Sequence, residues 1–190
     1  MTETLRTVTF TSMDEATDEE IALIMGQAGV ILHSHLLDEV LGLLEGLKGD
    51  QLGYQVDRYE HSLQTASRAY RDGARADLIV AGVLHDIGER LAPANHSEFA
   101  AAVLQPYLDE EAGFVVRHHG LFQGYHYFHK MGRDRNARDQ YRDSPYFNAT
   151  AHFCAEWDQR SFDPGYDSLP LETFMPMIEE VFDRPPNSGF

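Results

Sequence analysis

Histidine and aspartate recur in this chain inside or beside apolar stretches: His61, His85-Asp86, His96, His118-His119 and Trp157-Asp158. The pair His85-Asp86 stands out, because Val83, Leu84 and Ile87 surround it. An imidazole and a carboxylate side by side in an apolar segment are costly to bury unless something satisfies both. One buried histidine is usually hydrogen-bonded core. Imidazoles and carboxylates converging from several helices instead make a metal site. On a helix, neighbouring residues project about 100° apart, so one metal is not easily chelated by both members of the pair. A carboxylate has two oxygens, however, and Asp86 can bridge two metals while His85 serves one. His61, His85 and Asp158 then complete the first metal. His96 with one of His118 or His119 holds the second, leaving open positions for substrate or dioxygen. Nitrogen and oxygen ligands without thiolate suit iron, manganese or zinc rather than copper(I), and redox chemistry requires iron or manganese.

Helices must carry these residues, and the patterning predicts an all-α, compact single-domain bundle around a dinuclear site. An acidic first turn, Asp18-Glu19-Glu20, suits a helix within 14–26, and a second over 30–47 ends at Gly49. The His61 helix spans 54–71 and stops at Asp72-Gly73; the His85-Asp86 helix spans 77–90 and stops before Pro93. Further helices follow over 97–108 and 110–119, then an aromatic-rich loop containing Gly120 and Gly124. Ser144-Pro145 opens a helix running through Asp158, and the last helix covers 171–182. No stretch has the period-2 alternation of a sheet. The expected organisation is N-terminal helices over 1–50 packing on a core over 51–183, with a tail at 184–190.

Composition narrows the function classes. The net charge of −16 argues against nucleic acid as a partner, since binding a phosphate backbone needs a basic face. A local basic pocket still admits small anions. The single cysteine, Cys154, excludes a disulfide framework and a cysteine-based metal cluster. No run reaches the ~18–20 uninterrupted apolar residues of a membrane span, and the polar start Met1-Thr2-Glu3-Thr4 is no secretory signal. These features predict a cytoplasmic protein with no membrane partner; its oligomeric state is left open.

The order H…HD…H…H…D, with Glu60-His61-Ser62-Leu63-Gln64, Leu84-His85-Asp86-Ile87-Gly88, Asn95-His96-Ser97-Glu98 and Trp157-Asp158, resembles the HD-domain superfamily over residues 51–182. It is most similar to the branch that uses a mixed-valent diiron site to oxidise phosphonates. The resemblance implies two iron ions, Fe(II)/Fe(III) in the active form. It assigns His61, His85 and Asp158 to one iron, Asp86 as the bridge, and His96 with His119 to the other. It further implies a small 1-hydroxyalkylphosphonate and O2 as the reactants, oxygenation at C1, and release of phosphate.

Departures from that branch bear on the substrate. The relatives that act on the aminoethyl compound carry a Tyr ten residues before the first His and an amine-binding Glu seven before it. Here those places hold Gln51 and Tyr54, the gating candidates. A basic residue expected four after the fourth His is Gln123, an expected Arg is Ala155, and a histidine four after His85 is Glu89. An aromatic in place of the acid suits a methylated ammonium, attracted to ring faces without demanding a hydrogen bond. Tyr125, Tyr127 and Phe128 could extend that cage. The best-matching substrate is (R)-1-hydroxy-2-(trimethylammonio)ethylphosphonate, the product glycine betaine. Tyr54, Gln123, Arg160 and His118 are the expected substrate contacts, Arg160 because it follows Asp158 by two. Residues 130–138 concentrate four of the chain's 15 Lys and Arg as a further source of phosphonate contacts. The competing reading is a metal-dependent HD phosphohydrolase acting on a nucleotide or other phosphoester.

Overall fold

The computed structural model describes residues 6–187. The start Met1–Thr4 and the last three residues of the expected tail lie outside the described residues. Two compact units divide the chain, Met1–Leu41 and Gly42–Phe190. The first is mostly one helix, α1 (Asp18–Glu45), whose final turn belongs to the second unit. Thr17 and Glu20 close a reciprocal capping box at its start, each side chain accepting from the other's backbone N–H (3.3 and 3.1 Å). Two helices broken near Gly26 and Gly29 were expected, but one runs through both. Each glycine costs a helix only about 1 kcal/mol, and strong helix formers flank both. By length and composition α1 qualifies as a membrane span. Counting uninterrupted apolar residues passed over it, because Gln27, His33, Ser34 and His35 break the run.

The second unit is built from helices alone among the described residues. They are α2 (Arg58–Arg71), α3 (Ala76–Leu84), α4 (His96–Leu104), α5 (Glu110–Tyr127), α6 (Phe147–His152) and α7 (Leu171–Phe182). Asp57 caps α2 by accepting from Glu60 N (2.8 Å), and Asp109 caps α5 by accepting from Ala112 N (2.9 Å). α3 is the apolar hub. Its Ile79, Val80, Val83 and Leu84 are buried between α2, α5 and α7, each contributing about 1.5–3 kcal/mol by leaving water. Arg184, just past α7, grips both oxygens of Asp77 on α3 (2.9 and 3.0 Å) and ties the last helix to the hub.

Five helix ends differ from expectation: α2 begins at Arg58 rather than residue 54, α4 ends at Leu104 rather than residue 108, and the other three lie at or near the histidines and aspartates. α3 stops at Leu84, so His85 and Asp86 lie in tight turns in which Ile87 N and Glu89 N bond three residues back. α5 continues through Gly120 to Tyr127 where a loop was expected. Gly120 marks a close approach: a Cβ there would stand 3.0 Å from Ser97 Oγ on α4. The helix before Asp158 begins at Phe147 rather than Ser144. It widens into a π-helix over Phe153–Asp158.

Candidate metal centre

Each element delivers one or two donors to a single point. α2 supplies His61, the turn after α3 supplies His85 and Asp86, the first residue of α4 is His96, α5 carries His119, and the π-helix ends on Asp158. All but His96 are buried. Trp157 Nε1 donates to Asp72 at the end of α2 (3.1 Å), which pins the π-helix where Asp158 must point.

The two oxygens of Asp86 face different partners. Oδ2 lies 3.5 Å from His61 Nε2 and 3.4 Å from His85 Nε2, and Asp158 Oδ1 is 3.2 Å from that same His61 nitrogen. Oδ1 lies 3.2 Å from His119 Nε2 and 3.4 Å from His96 Nε2. With metal–ligand bonds of about 2.1 Å, neighbouring donors stand about 3.0 Å apart in an octahedron and 3.4 Å apart in a tetrahedron. The observed separations, 3.2–3.5 Å, lie in the range that donors around a bound metal would show.

Hydrogen bonding on the far side of the rings decides what these nitrogens can do. His61 Nδ1 meets Ser161 O (2.8 Å), His85 Nδ1 meets Gly82 O (3.0 Å), and His119 Nδ1 meets Val116 O (2.7 Å). A carbonyl only accepts, so each Nδ1 donates and each neutral ring turns a bare Nε2 lone pair inward. His61 Nε2 and His85 Nε2 face each other at 3.2 Å. Asp158 Oδ2 is buried without any partner. Converging lone pairs and an orphaned carboxylate oxygen need cations. The residues present fit a metal pair.

Burial pushes His85 down to about 4, against its ordinary 6.5, although Asp86 and Asp158 oppose the shift. Burial also lowers His96. His119 moves the other way, because its contact with Asp86 and the charges of both aspartates outweigh burial. Asp86 sits well below the carboxylate range: burial would raise it, but His85, Arg58 and His119 hold it down. Without metal, unfolding lets His85 take up a proton that the fold refuses. Its contribution is therefore intact above pH 6.5 and is lost as pH falls toward 4, on the order of 3 kcal/mol. The raised His119 acts above this window. Metal-free protein should thus lose urea-unfolding free energy between pH 6.5 and 4.5; a flat profile would sink the neutral-histidine assignment.

A cleft of about 400 Å³ opens over Asp86 and His96, lined also by Tyr54, Arg58, Gln123, Tyr127 and Phe162. The HD-domain family matches residues 58–158, from the first residue of α2 to the last aspartate of the centre. The chain belongs to the HD-domain family. No curated protein matches it. HD-domain proteins are typically metal-dependent enzymes, and the buried histidines and aspartates here could hold metal.

Other expected contacts divide. Gln123 reaches the centre and donates to Asp158 Oδ1, and Tyr54 stacks on Phe162 (4.8 Å), which stacks on His61 (4.5 Å). Gln51 is exposed, reaching only Gln55 O, and does not line the cleft. His118 is not at the centre: one position from His119 turns it about 100° away, and it packs on Phe114 and Tyr141. Arg160 is also misplaced. It pairs with Glu156 one turn back (2.9 Å) and lines a separate surface depression beside Trp157 and Tyr166. Of the proposed cage, Tyr125 carries arginines on its ring and Phe128 is buried; neither lines the cleft.

Arg58, Phe162 and His126 were missed, whereas Lys130 belongs to the 130–138 segment expected to supply phosphonate contacts. Arg58 forms a two-pronged ion pair with Glu89, approaches Asp86 Oδ2 (3.8 Å) and lies over the Tyr54 ring (5.1 Å). Its spacing, three before His61, placed it one turn away on the same face. Gly88 positions the second ligand set, since a Cβ there would meet His96 O at 2.7 Å and the Phe99 ring at 2.9 Å. Gly88→Ala should displace His96, cost about 1–3 kcal/mol of stability and lower the metal content by up to one equivalent. Wild-type metal content would disprove that positioning role.

Proposed function

We propose that this chain is a diiron oxygenase that uses O2 to cleave the C–P bond of a 1-hydroxyalkylphosphonate. The leading substrate is (R)-1-hydroxy-2-(trimethylammonio)ethylphosphonate, which with one O2 gives glycine betaine, phosphate and a proton. The observation that carries this reading is the lining of the cleft. Beside the shared carboxylate stand three rings, Tyr54, Tyr127 and Phe162, and no acid other than Asp86 itself. A quaternary ammonium is compatible with rings and needs no acceptor. The nearest other carboxylate, Glu89, is committed to Arg58. The motif resemblance to phosphonate oxygenases adds the metal identity and the C1 chemistry.

The chain's own residues bind and orient. One metal would be held by His61, His85, Asp158 and one oxygen of Asp86, the other by His96, His119 and the second oxygen of Asp86, which would leave the second more room for substrate oxygens. The cleft reaches that side, at His96. Substrate therefore enters with its 1-hydroxyl and a phosphonate oxygen toward His96. The stacked Tyr54 and Phe162 rings screen His61 from water. When bound, the iron pair supplies the activation of O2 and the electron transfers that oxidise C1.

The same ligands would serve a phosphohydrolase. The doublet His118-His119 resembles the paired histidines of some phosphohydrolases of this family, but His118 packs away from the centre, and Gly88 is followed by Glu89 where those enzymes usually have a lysine shortly after the His-Asp pair. Anaerobically iron-loaded protein should release phosphate from 1-hydroxyphosphonates only when O2 is admitted. It should also show a mixed-valent diiron signal by electron paramagnetic resonance. Phosphoester hydrolysis with magnesium or manganese under anaerobic conditions, and no oxygen-dependent release, would overturn the oxygenase reading.

A further inference from the structure

On a chain of net charge −16, arginines are mostly committed to acids. Arg58 pairs with Glu89, Arg75 with Asp109 and Glu111, Arg117 with Glu98, Arg142 with Asp139, Arg160 with Glu156 and Arg184 with Asp77. Lys130, Arg133, Arg135 and Arg138 have no ion pair among the described residues. Asp134 lies among them in sequence, but its side chain caps Asn136 N instead. Four neighbouring cations without an acidic partner set this segment apart on an acidic protein and give it a local positive potential that suits an anion.

A second observation locates that anion. Six buried side-chain nitrogens and oxygens lack a partner among the described residues, and three come from this one neighbourhood: His126 Nε2, Arg135 Nε and Arg138 Nε. Both guanidiniums lie on the ring of Tyr125, at 4.1 and 3.8 Å, beside His126 in the chain. His126 and Lys130 line the same cleft as Asp86 and His96. His119, Gln123 and His126 recur at positions i, i+4 and i+7 of α5, so one face of that helix runs from the metal centre to the unpartnered imidazole. Burial first, and then the charge of Arg138, lower the pKa of His126, and its unpartnered Nε2 can donate to an anion in the tautomer that carries the proton there.

We propose that His126 and Lys130 form an oxyanion subsite at the mouth of the cleft that takes the tetrahedral phosphorus dianion of the substrate. Arg135 and Arg138 add positive potential from the Tyr125 side. The subsite rests on the functional reading only in treating the cleft as the substrate's, and it serves a phosphonate or a phosphoester alike. It replaces the cationic contacts that positions 123 and 155 lack, and it stands where Arg160 does not reach.

The test is calorimetric titration of anaerobic, metal-loaded full-length protein with methylphosphonate and, separately, methyl phosphate. Lys130→Met and His126→Asn should each weaken binding of both anions by about tenfold or more, the loss of one hydrogen bond to a charged group. Metal content should stay at the wild-type level, which separates this loss from damage to the centre. If His126→Asn disturbs the metals, the exposed Lys130 decides alone. Unchanged affinity in Lys130→Met, weakening toward only one of the two anions, or no binding by the wild-type protein overturns the subsite. Failure of oxygen-dependent phosphate release would overturn the oxygenase reading and leave these affinities as they are.

Discussion

Asp86→Ala releases both metals together and lowers oxygen-dependent phosphate release by about 1,000-fold or more, equivalent to ~4 kcal/mol at the transition state. Its two oxygens face separate ligand sets, at 3.4 and 3.5 Å on one side and 3.2 and 3.4 Å on the other, so no single-site loss is available. The substitution also removes a carboxylate 3.8 Å from Arg58, leaving that half-buried guanidinium to Glu89 alone. His61→Ala and His96→Ala act differently, because each belongs to one set. Metal analysis should find their residual metal in different positions, with distinct paramagnetic spectra. An Asp86→Ala protein holding one full equivalent of tightly bound, active metal would rule out the shared carboxylate.

A quaternary ammonium at C2 of the substrate is turned over in preference to a primary amine, by at least ~10-fold in kcat/KM and up to several hundred-fold. A primary ammonium in this cleft finds no carboxylate other than Asp86 to pair with, at a cost of about 1–3 kcal/mol. A trimethylammonium has no N–H donors and gains about 0.5–2 kcal/mol from aromatic faces. Arg58 already lies over the Tyr54 and Phe162 rings, which makes Tyr127 the main uncommitted ring of the three. Tyr54→Glu should narrow the preference by supplying the missing acceptor. Equal or faster turnover of the aminoethyl compound by the unmutated protein would sink the cage and leave a phosphonate oxygenase of other specificity.

Residue type made the metal donors visible in the sequence: imidazoles and carboxylates in apolar surroundings have few bland uses, and six of them converge here. The helical period allowed only one of His118 and His119 to face the centre, since neighbouring residues point about 100° apart, and the preference for His119 came from the family resemblance. Helix ends near the centre were harder to read, because tertiary contacts set them. Gly120 reads as a helix breaker in isolation, yet it is the point where Ser97 on α4 comes within 3.0 Å of a Cβ position. Breaking α5 there hid His126, which shares a helical face with His119. The lining of the cleft was legible only in part. Phe162 meets Tyr54 and His61 across about a hundred residues of chain, and no local pattern encodes such a meeting. Arg160 misled because adjacency to a ligand in sequence says little about direction in space.

The π-helix over Phe153–Asp158 makes the centre dependent on residue count as well as residue type. Such a widened turn holds one more residue than an α-turn, the trace that a single inserted residue leaves in a helix. Wound as ordinary α-helix, the same residues would turn Asp158 away by up to about 100° relative to α6. Every side chain would remain, and the carboxylate would face elsewhere. The length of this short segment is therefore itself part of the metal-binding information in the chain, and comparing residue identities alone would overlook it.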